Sequence, residues 1–280
     1  MSFNAHDLIN LATYPIDRQN NEKNALLASV RNDLARDGCA VLKGFLTQKG
    51  VAALTAEADQ VSHCGHRSFN RTNPYFTQDD PNLPKDDPRR AFFERSNNFI
   101  AADNFKTSGP LRTIHDFPGF DTFIQDCLQE ENFYRYGDPL ADVIINMAEE
   151  GNGFPWHFDT NNFTVTIAIQ NAQNGGAFEY APNIRSQDEN FDDVRKVLDE
   201  KSDKVVRLEL QPGDLQLFRG RYSLHRVAPL SGPTPRYVAI FSYVEQPDMV
   251  ATPERCKQLY GRVLPVHYER AGVRADRYID

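Results

Sequence analysis

Two residues two positions apart, His157 and Asp159, carry the first chemical signal in the chain. They stand in FPWHFDTNNFTVTIAIQ (154–170), just ahead of a run that alternates like a strand. In an extended segment residues i and i+2 project from the same face, so one imidazole and one carboxylate can aim at one point. Such a pair suits a hard-to-borderline cation such as Fe(II), which takes two His and one carboxylate and keeps open positions beside them. Alone, an H-x-D tripeptide is a weak signal, because a core histidine next to a surface aspartate gives the same text. A metal site needs a third ligand. His225 is the candidate, 68 positions downstream in another strand-like stretch. Eleven residues after it, Arg236 opens a further strand. An arginine pointing into an apolar interior requires an anionic partner, and its planar fork matches a carboxylate.

These residues need a scaffold that makes neighbours of distant strands. Apolar or alternating runs at 140–148, 163–170, 177–180, 205–210, 214–219, 224–228 and 236–243 read as strands. Gly175-Gly176, Pro212-Gly213, Gly220 and 231–235 mark turns between them, and one helical stretch, 190–201, interrupts the series. Many short strands at this rhythm predict a barrel or sandwich, in which His157 and His225 can meet. Upstream, Leu26, Leu27, Val30 and Leu34 have helical spacing over 24–37, and Gly38 stands where a C-terminal cap is expected. A strand over 39–46 follows, then a helix over 48–62 with Thr47 as its cap. Further on, 120–128 predicts a helix and 132–136 a strand, and Thr252-Pro253-Glu254 opens a late helix. The stretch 67–118 is rich in Pro, Asn and Asp, yet it holds Tyr75, Phe76, Phe92, Phe93, Phe99 and Phe105. That aromatic content predicts an ordered excursion partly covering the pocket. No repeat divides the chain. It reads as one domain, 1–280, with a lead-in and cover (1–139), a β core (140–243) and a C-terminal helical extension (244–280).

The remaining histidines are less telling. His63 and His66 have metal-like spacing without a partner pattern, and His6, His115 and His267 have no identifiable partners. Arg226 should point away from His225 on the same strand and serve structure.

Composition narrows the function classes. A chain of 280 residues with 40% hydrophobic content can bury one sizeable core. The net charge of −8 offers no basic excess to capture phosphates, which argues against nucleic acid and anionic membranes as partners. Cys39, Cys64, Cys127 and Cys256 are scattered and fit neither a disulfide framework nor a zinc ribbon. No apolar run approaches the ~18 residues of a membrane span, and the first residues lack the pattern of a secretory signal. Reduced thiols in a cytoplasmic protein are the expectation.

The order His157-x-Asp159, distal His225 and Arg236, with GDLQLF before the distal histidine and HRVAP after it, resembles the Fe(II)/2-oxoglutarate-dependent oxygenases. The resemblance implies a mainly β fold with flanking helices around a double-stranded β-helix (jelly-roll, cupin-like) core at about 140–243. Within that superfamily, WHFDTNNFTVTIAIQ and GGAFEY look most like the group of free-amino-acid hydroxylases and carrier-independent amino-acid halogenases. By resemblance, His157, Asp159 and His225 are the catalytic iron ligands and Arg236 binds the distal carboxylate of the cosubstrate 2-oxoglutarate. Where the family often places a tyrosine that also touches the cosubstrate, this chain has Ala148; Asn146, on the same strand face, is the candidate substitute, with Thr164 and Thr166 behind it. The resembling halogenases have a small residue in place of the carboxylate, freeing a position for chloride. Asp159 therefore implies hydroxylation or a related oxidation, with O2 consumed and succinate and CO2 released.

The implied substrate is a small molecule such as a free amino acid or a derivative. Arg67, Arg71, Arg89, Arg90, Arg95 and Glu94 are candidates to hold it, although solvated surface charge accounts equally well for most of them. A homodimer is compatible with the sequence. Two other readings stay open. One is a non-catalytic cupin-like metal-binding protein, which needs no Arg236. The other is an oxygenase of the same superfamily acting on another natural product, a protein or a nucleic acid.

Overall fold

The computed structural model of the chain describes residues 3–185 and 188–270. Eleven strands carry the architecture: β1 Cys39–Leu42, β2 His66–Thr72, β3 Phe93–Ile100, β4 Val143–Ala148, β5 Phe154–His157, β6 Thr164–Gln170, β7 Phe178–Ala181, β8 Val206–Leu208, β9 Leu215–Phe218, β10 Leu224–Val227 and β11 Arg236–Phe241. Seven of them form one antiparallel sheet in the order β1-β9-β6-β11-β4-β3-β2. The other four form a smaller antiparallel sheet, β8-β7-β10-β5. The protein is mainly β with flanking helices, and its core is a jelly roll.

Strand periodicity explains the layering. Val143, Ile145 and Met147 of β4, Val165, Ile167 and Ile169 of β6, Leu215 and Leu217 of β9, and Tyr237, Ala239 and Phe241 of β11 pack in one core with the helices. Those helices include Asn21–Asp37, Gln48–Val61 and Phe120–Leu128, which contribute Leu27, Leu54 and Phe123. The residues between those positions face the other way. Ile144 and Asn146 on β4, Thr164 and Thr166 on β6, Gln216 and Phe218 on β9, and Arg236, Val238 and Ile240 on β11 line a single cavity. Phe154, Phe178 and Val227 of the small sheet close its other side. Both faces of the large sheet are therefore buried, which is why its central strands read as nearly continuous apolar runs. The exceptions, at period two, are the polar residues of the cavity.

The helix ends follow local chemistry. Asn20 accepts from the Lys23 N–H, Thr47 from the Gly50 N–H and Thr252 from the Arg255 N–H. Gly38 and Gly261 close their helices in the left-handed conformation, at φ 64° and 71°. No helix among the described residues is long and apolar enough to cross a membrane.

Two sequence expectations change. The stretch 67–118 does reach the cavity, but from within the large sheet, because β2 and β3 extend it beyond β4. The Pro- and Asp-rich link between them is tied down by buried Asn73. Its amide donates to the Thr77 and Arg89 carbonyls, and its oxygen accepts the Tyr75 and Thr77 N–H groups. One side chain thus supplies the hydrogen bonds that a strand partner would have given. The strand expected at 132–136 shrinks to Tyr134–Arg135. The C-terminal extension forms the helices Pro253–Tyr260 and Pro265–Arg270, and its last ten positions, 271–280, lie outside the described residues.

Candidate metal centre

His157 ends β5 and His225 sits in β10, directly across the ladder from it. The pairing is not regular: His225 faces His157 while Val227 faces Phe154, so β5 carries one extra residue. This bulge lets both Phe154 and His157, three residues apart, face the cavity, while Trp156 packs outside it against Leu224 and Ala181. Bulges re-aim side chains in this way beside functional sites. Asp159 follows two residues after His157, anchored by its N–H to the Gly220 carbonyl at 3.1 Å.

The ligand-type atoms of His157, Asp159 and His225 lie within 4.8 Å of one another. Asp159 Oδ1 is 3.7 Å from His157 Nε2 and 3.4 Å from His225 Nε2. The two imidazole rings are 4.2 Å apart, centre to centre. Each Nδ1 meets a backbone carbonyl, of Pro155 at 2.8 Å and of Ser223 at 2.9 Å. A carbonyl only accepts, so both Nδ1 atoms carry the proton and both Nε2 lone pairs point at Asp159. The other carboxylate oxygen, Oδ2, accepts from the Thr164 hydroxyl. Burial, the facing His225 and Arg95 hold the His157 imidazole well below its ordinary pKa, hence neutral. Burial opposes the charge on Asp159, and the donated Thr164 hydroxyl favours it. Two imidazoles and one carboxylate converging on one point form the donor set that Fe(II) takes.

Gly220 makes this packing feasible. A Cβ there would run into the Asp159 carboxylate. Gly220→Ala should displace Asp159 and lower divalent-metal affinity on the order of 10- to 100-fold. Titration with Co(II), followed by its visible spectrum, checks this, and unchanged affinity would show that the carboxylate has room to move.

Arg236 occupies the first position of β11, paired with Ala148, and is 8% exposed. Its side chain lines the same cavity. No carboxylate lies within ion-pair distance of it among the described residues, and burial alone lowers its pKa to about 10. A buried guanidinium without an anion is costly, so this is a place prepared for one. Asn146 also lines the cavity, donating to the Asn98 carbonyl at 3.3 Å. Thr166 does as well, with its hydroxyl on Gln216 Oε1 at 3.1 Å.

Of the arginines expected to clamp substrate, only Arg95 reaches the cavity. Arg67 pairs with Glu149, Arg71 lies near Glu94 on the surface, Arg89 pairs with Asp87 and Arg90 with Asp79. Arg226 turns outward, as its strand position requires, and bonds Glu179 at 2.7 Å. The sequence reading missed Arg255, which lines the cavity from the late helix, and it missed Gln216. Gln216 had a signal, as the one polar residue between Leu215 and Leu217. Arg255 had none, since it falls inside a helix that its cap already explains.

His267 also corrects the sequence reading. It has a partner, donating from Nε2 to Asp138 Oδ1 at 3.1 Å, both side chains being fully buried. With Cys256 they form a second cluster of metal-binding type. Its lone pairs are already used: Asp138 also accepts from Leu140 and Ala251 N–H, and His267 Nδ1 accepts from Leu264 N–H. It is a structural knot.

The cavity that joins these groups measures about 800 Å³, the size of a small-molecule site. The family model for halogenase D matches residues 22–260. No curated protein sequence matches the chain. Among solved structures, a prolyl hydroxylase from Trichoplax adhaerens is similar at 18% identity, covering 82% of this chain and 95% of its own, with a TM-score of 0.53. The non-heme alpha-ketoglutarate-dependent epimerase SnoN from nogalamycin biosynthesis aligns at 15% identity over 79% of this chain and 83% of its own, with a TM-score of 0.54. An oxidoreductase of the 2OG-Fe(II) oxygenase family from Burkholderia pseudomallei aligns at 13% identity over 79% and 91%, with a TM-score of 0.50. At these identities the three structures bear on the fold alone.

Proposed function

The chain belongs to the halogenase D family, within the Fe(II)/2-oxoglutarate-dependent oxygenases, and we propose that it hydroxylates an unactivated C–H bond of a small molecule. The substrate is a free amino acid or an amino-acid derivative, the class suggested by the sequence resemblance. One observation carries this reading: His157, Asp159 and His225 converge in the same cavity into which the buried, anion-free Arg236 projects. A metal-binding cupin without catalysis has no use for such an arginine.

His157, Asp159 and His225 would hold Fe(II), and Arg236 would hold the distal carboxylate of 2-oxoglutarate, with Asn146 as a further polar contact. When bound, the iron would supply the oxidising chemistry by which O2, 2-oxoglutarate and the substrate C–H give succinate, CO2 and the hydroxylated substrate. The chain itself provides position and exclusion of water. Phe178 and Phe218 stand 5.6 and 4.9 Å from the His225 ring, and Phe76 stands 5.7 Å from that of His157. These aromatic walls keep the reacting region dry and fix the imidazoles in one orientation. Thr164 and Gly220 fix the carboxylate.

The family takes its name from a halogenase, but Asp159 supports hydroxylation here. A carboxylate held on the iron side of the cavity fills the position that chloride would need. A cavity of this size, in a chain of net charge −8, favours a metabolite over a nucleic acid.

The test is incubation of the purified protein with Fe(II), 2-oxoglutarate, O2 and a panel of amino acids and metabolite extracts. Succinate should form, and one component should gain the mass of an oxygen atom. Absence of succinate together with absence of metal-dependent 2-oxoglutarate binding would overturn the proposal. Arg236→Met should weaken 2-oxoglutarate binding by about 1.5–3 kcal/mol, the worth of a charge-assisted pair, while Fe(II) binding stays within twofold. Isothermal titration of both ligands separates this outcome from a general collapse of the site.

A further inference from the structure

The cavity carries more positive charge than the proposed iron and cosubstrate account for. Three arginines line it, Arg95, Arg236 and Arg255, against a single carboxylate, Asp159. Asp159 is committed to the metal position and Arg236 to the cosubstrate, and the opposite charges of Fe(II) and 2-oxoglutarate cancel. Arg95 and Arg255 remain.

Neither has an ion-pair partner among the described residues. Arg95 is 7% exposed and makes one side-chain hydrogen bond, from Nε to Asn97 Oδ1 at 3.0 Å. The terminal nitrogens of its fork have no acceptor among the described residues. Its guanidinium lies 4.7 Å from the centre of the Phe76 ring and 5.5 Å from that of Phe154. Arg255 reaches the same Phe76 ring at 5.7 Å. The two cations therefore flank one aromatic ring, close enough to repel. Burial, then the charge of Arg255, lowers the Arg95 pKa to about 9, and burial lowers that of Arg255. Both guanidiniums line the same cavity as Asp159. Two adjacent cations, Arg95 buried and Arg255 partly buried, are costly to hold together unless an anion joins them.

Resting on the oxygenase reading above, we propose that Arg95 and Arg255 together bind an acidic substrate group, and that the substrate is a small molecule of net negative charge, such as a dicarboxylic amino acid. Among the described residues, the cavity lining holds no carboxylate besides Asp159 to receive a basic side chain. A lysine-like substrate would add a cation to two that are already uncompensated. A dicarboxylic amino acid instead places one carboxylate on the arginine pair. Thr160 and Thr252, both in the lining, then bring hydroxyl oxygens to its ammonium group. Substrate specificity in this reading comes from a helix outside the jelly roll, since Arg255 belongs to Pro253–Tyr260.

Calorimetry under anaerobic conditions, with Fe(II) and saturating 2-oxoglutarate, tests this directly. The probes are L-aspartate, L-glutamate, L-leucine and L-lysine. Expected is at least tenfold tighter binding of an acidic probe than of either other class. Arg255→Met and Arg95→Met should each erase that preference, while 2-oxoglutarate binding, measured separately, stays within twofold and shows that the variants fold. Arg255→Lys should restore part of it. Equal or tighter binding of L-leucine or L-lysine overturns the inference, as does failure of both acidic probes to bind, or a loss of 2-oxoglutarate rather than probe affinity in Arg95→Met. Loss of 2-oxoglutarate binding by the unaltered protein would instead overturn the oxygenase reading itself.

Discussion

Asp159→Gly is expected to reduce hydroxylation on the order of 10³-fold while leaving the fold intact. The magnitude follows from what the carboxylate does. Among the described residues it is the one anion facing the two Nε2 atoms, at 3.7 and 3.4 Å, and the one acid in the cavity lining. Losing a charged metal ligand costs several kcal/mol, and each 1.36 kcal/mol is a factor of ten in rate. The fold should tolerate the change, because Asp159 is tied to the rest of the protein by its backbone N–H to Gly220. The vacated space would face two imidazoles, the freed Thr164 hydroxyl and, further off, Arg95 and Arg255. Those groups all favour a small anion. Chloride should therefore raise Co(II) affinity in Asp159→Gly and leave the parent protein unaffected, as read by absorbance titration with and without the salt. Hydroxylation within tenfold of the parent level would remove Asp159 from the metal site and with it the argument against halogenation.

The legibility of this site follows from its periodicity. His157 and Asp159, and the alternate residues Asn146, Thr164, Thr166 and Arg236, are set by a strand repeat that any single strand displays. His225 and Arg236 stood out because a histidine and an arginine are costly in apolar strands. The helix caps at Thr47 and Thr252 were equally local. What stayed hidden was whatever depends on several elements at once. Residues 67–118 contain most of two strands of the large sheet, but only β3 joins them to the rest of it, through β4, more than forty residues away. Between them runs polar text that Asn73, Asp87 and Arg90 tie down from within. The bulge in β5 leaves no mark in FPWH, and Arg255 reaches the cavity only because its helix packs near β2 and β3. Charge cannot be assigned to a pocket until the pocket is closed. Six lid charges looked alike in sequence, and five of them found partners or solvent outside the cavity.

The knot at Asp138 gives the largest expected effect on stability, and it reaches the site through the same helix. Asp138 is 1% exposed and precedes β4. Its Oδ1 accepts from Leu140 N–H at 2.8 Å and from His267, while Oδ2 accepts from Ala251 N–H at 2.9 Å and faces the Cys256 thiol at 3.8 Å. One carboxylate thus joins the jelly roll to the approach, body and aftermath of the helix that carries Arg255. Asp138→Ala strands two buried N–H groups and an imidazole N–H without acceptors. Each orphaned donor costs about 1–3 kcal/mol, and breaking a buried charged cluster costs about 3–5 kcal/mol in all. At about 2–4 °C per kcal/mol for chains somewhat shorter than this, Tm should fall by roughly 10 °C. His267→Ala should cost less, because Asp138 keeps both backbone donors. The two variants also differ from a general core defect in what they do to ligands. With its anchor cut, the helix Pro253–Tyr260 should loosen first, so selectivity for an acidic probe should fall at temperatures where 2-oxoglutarate still binds. Parallel loss of both affinities on heating would place the knot in global stability alone, with no particular hold on Arg255.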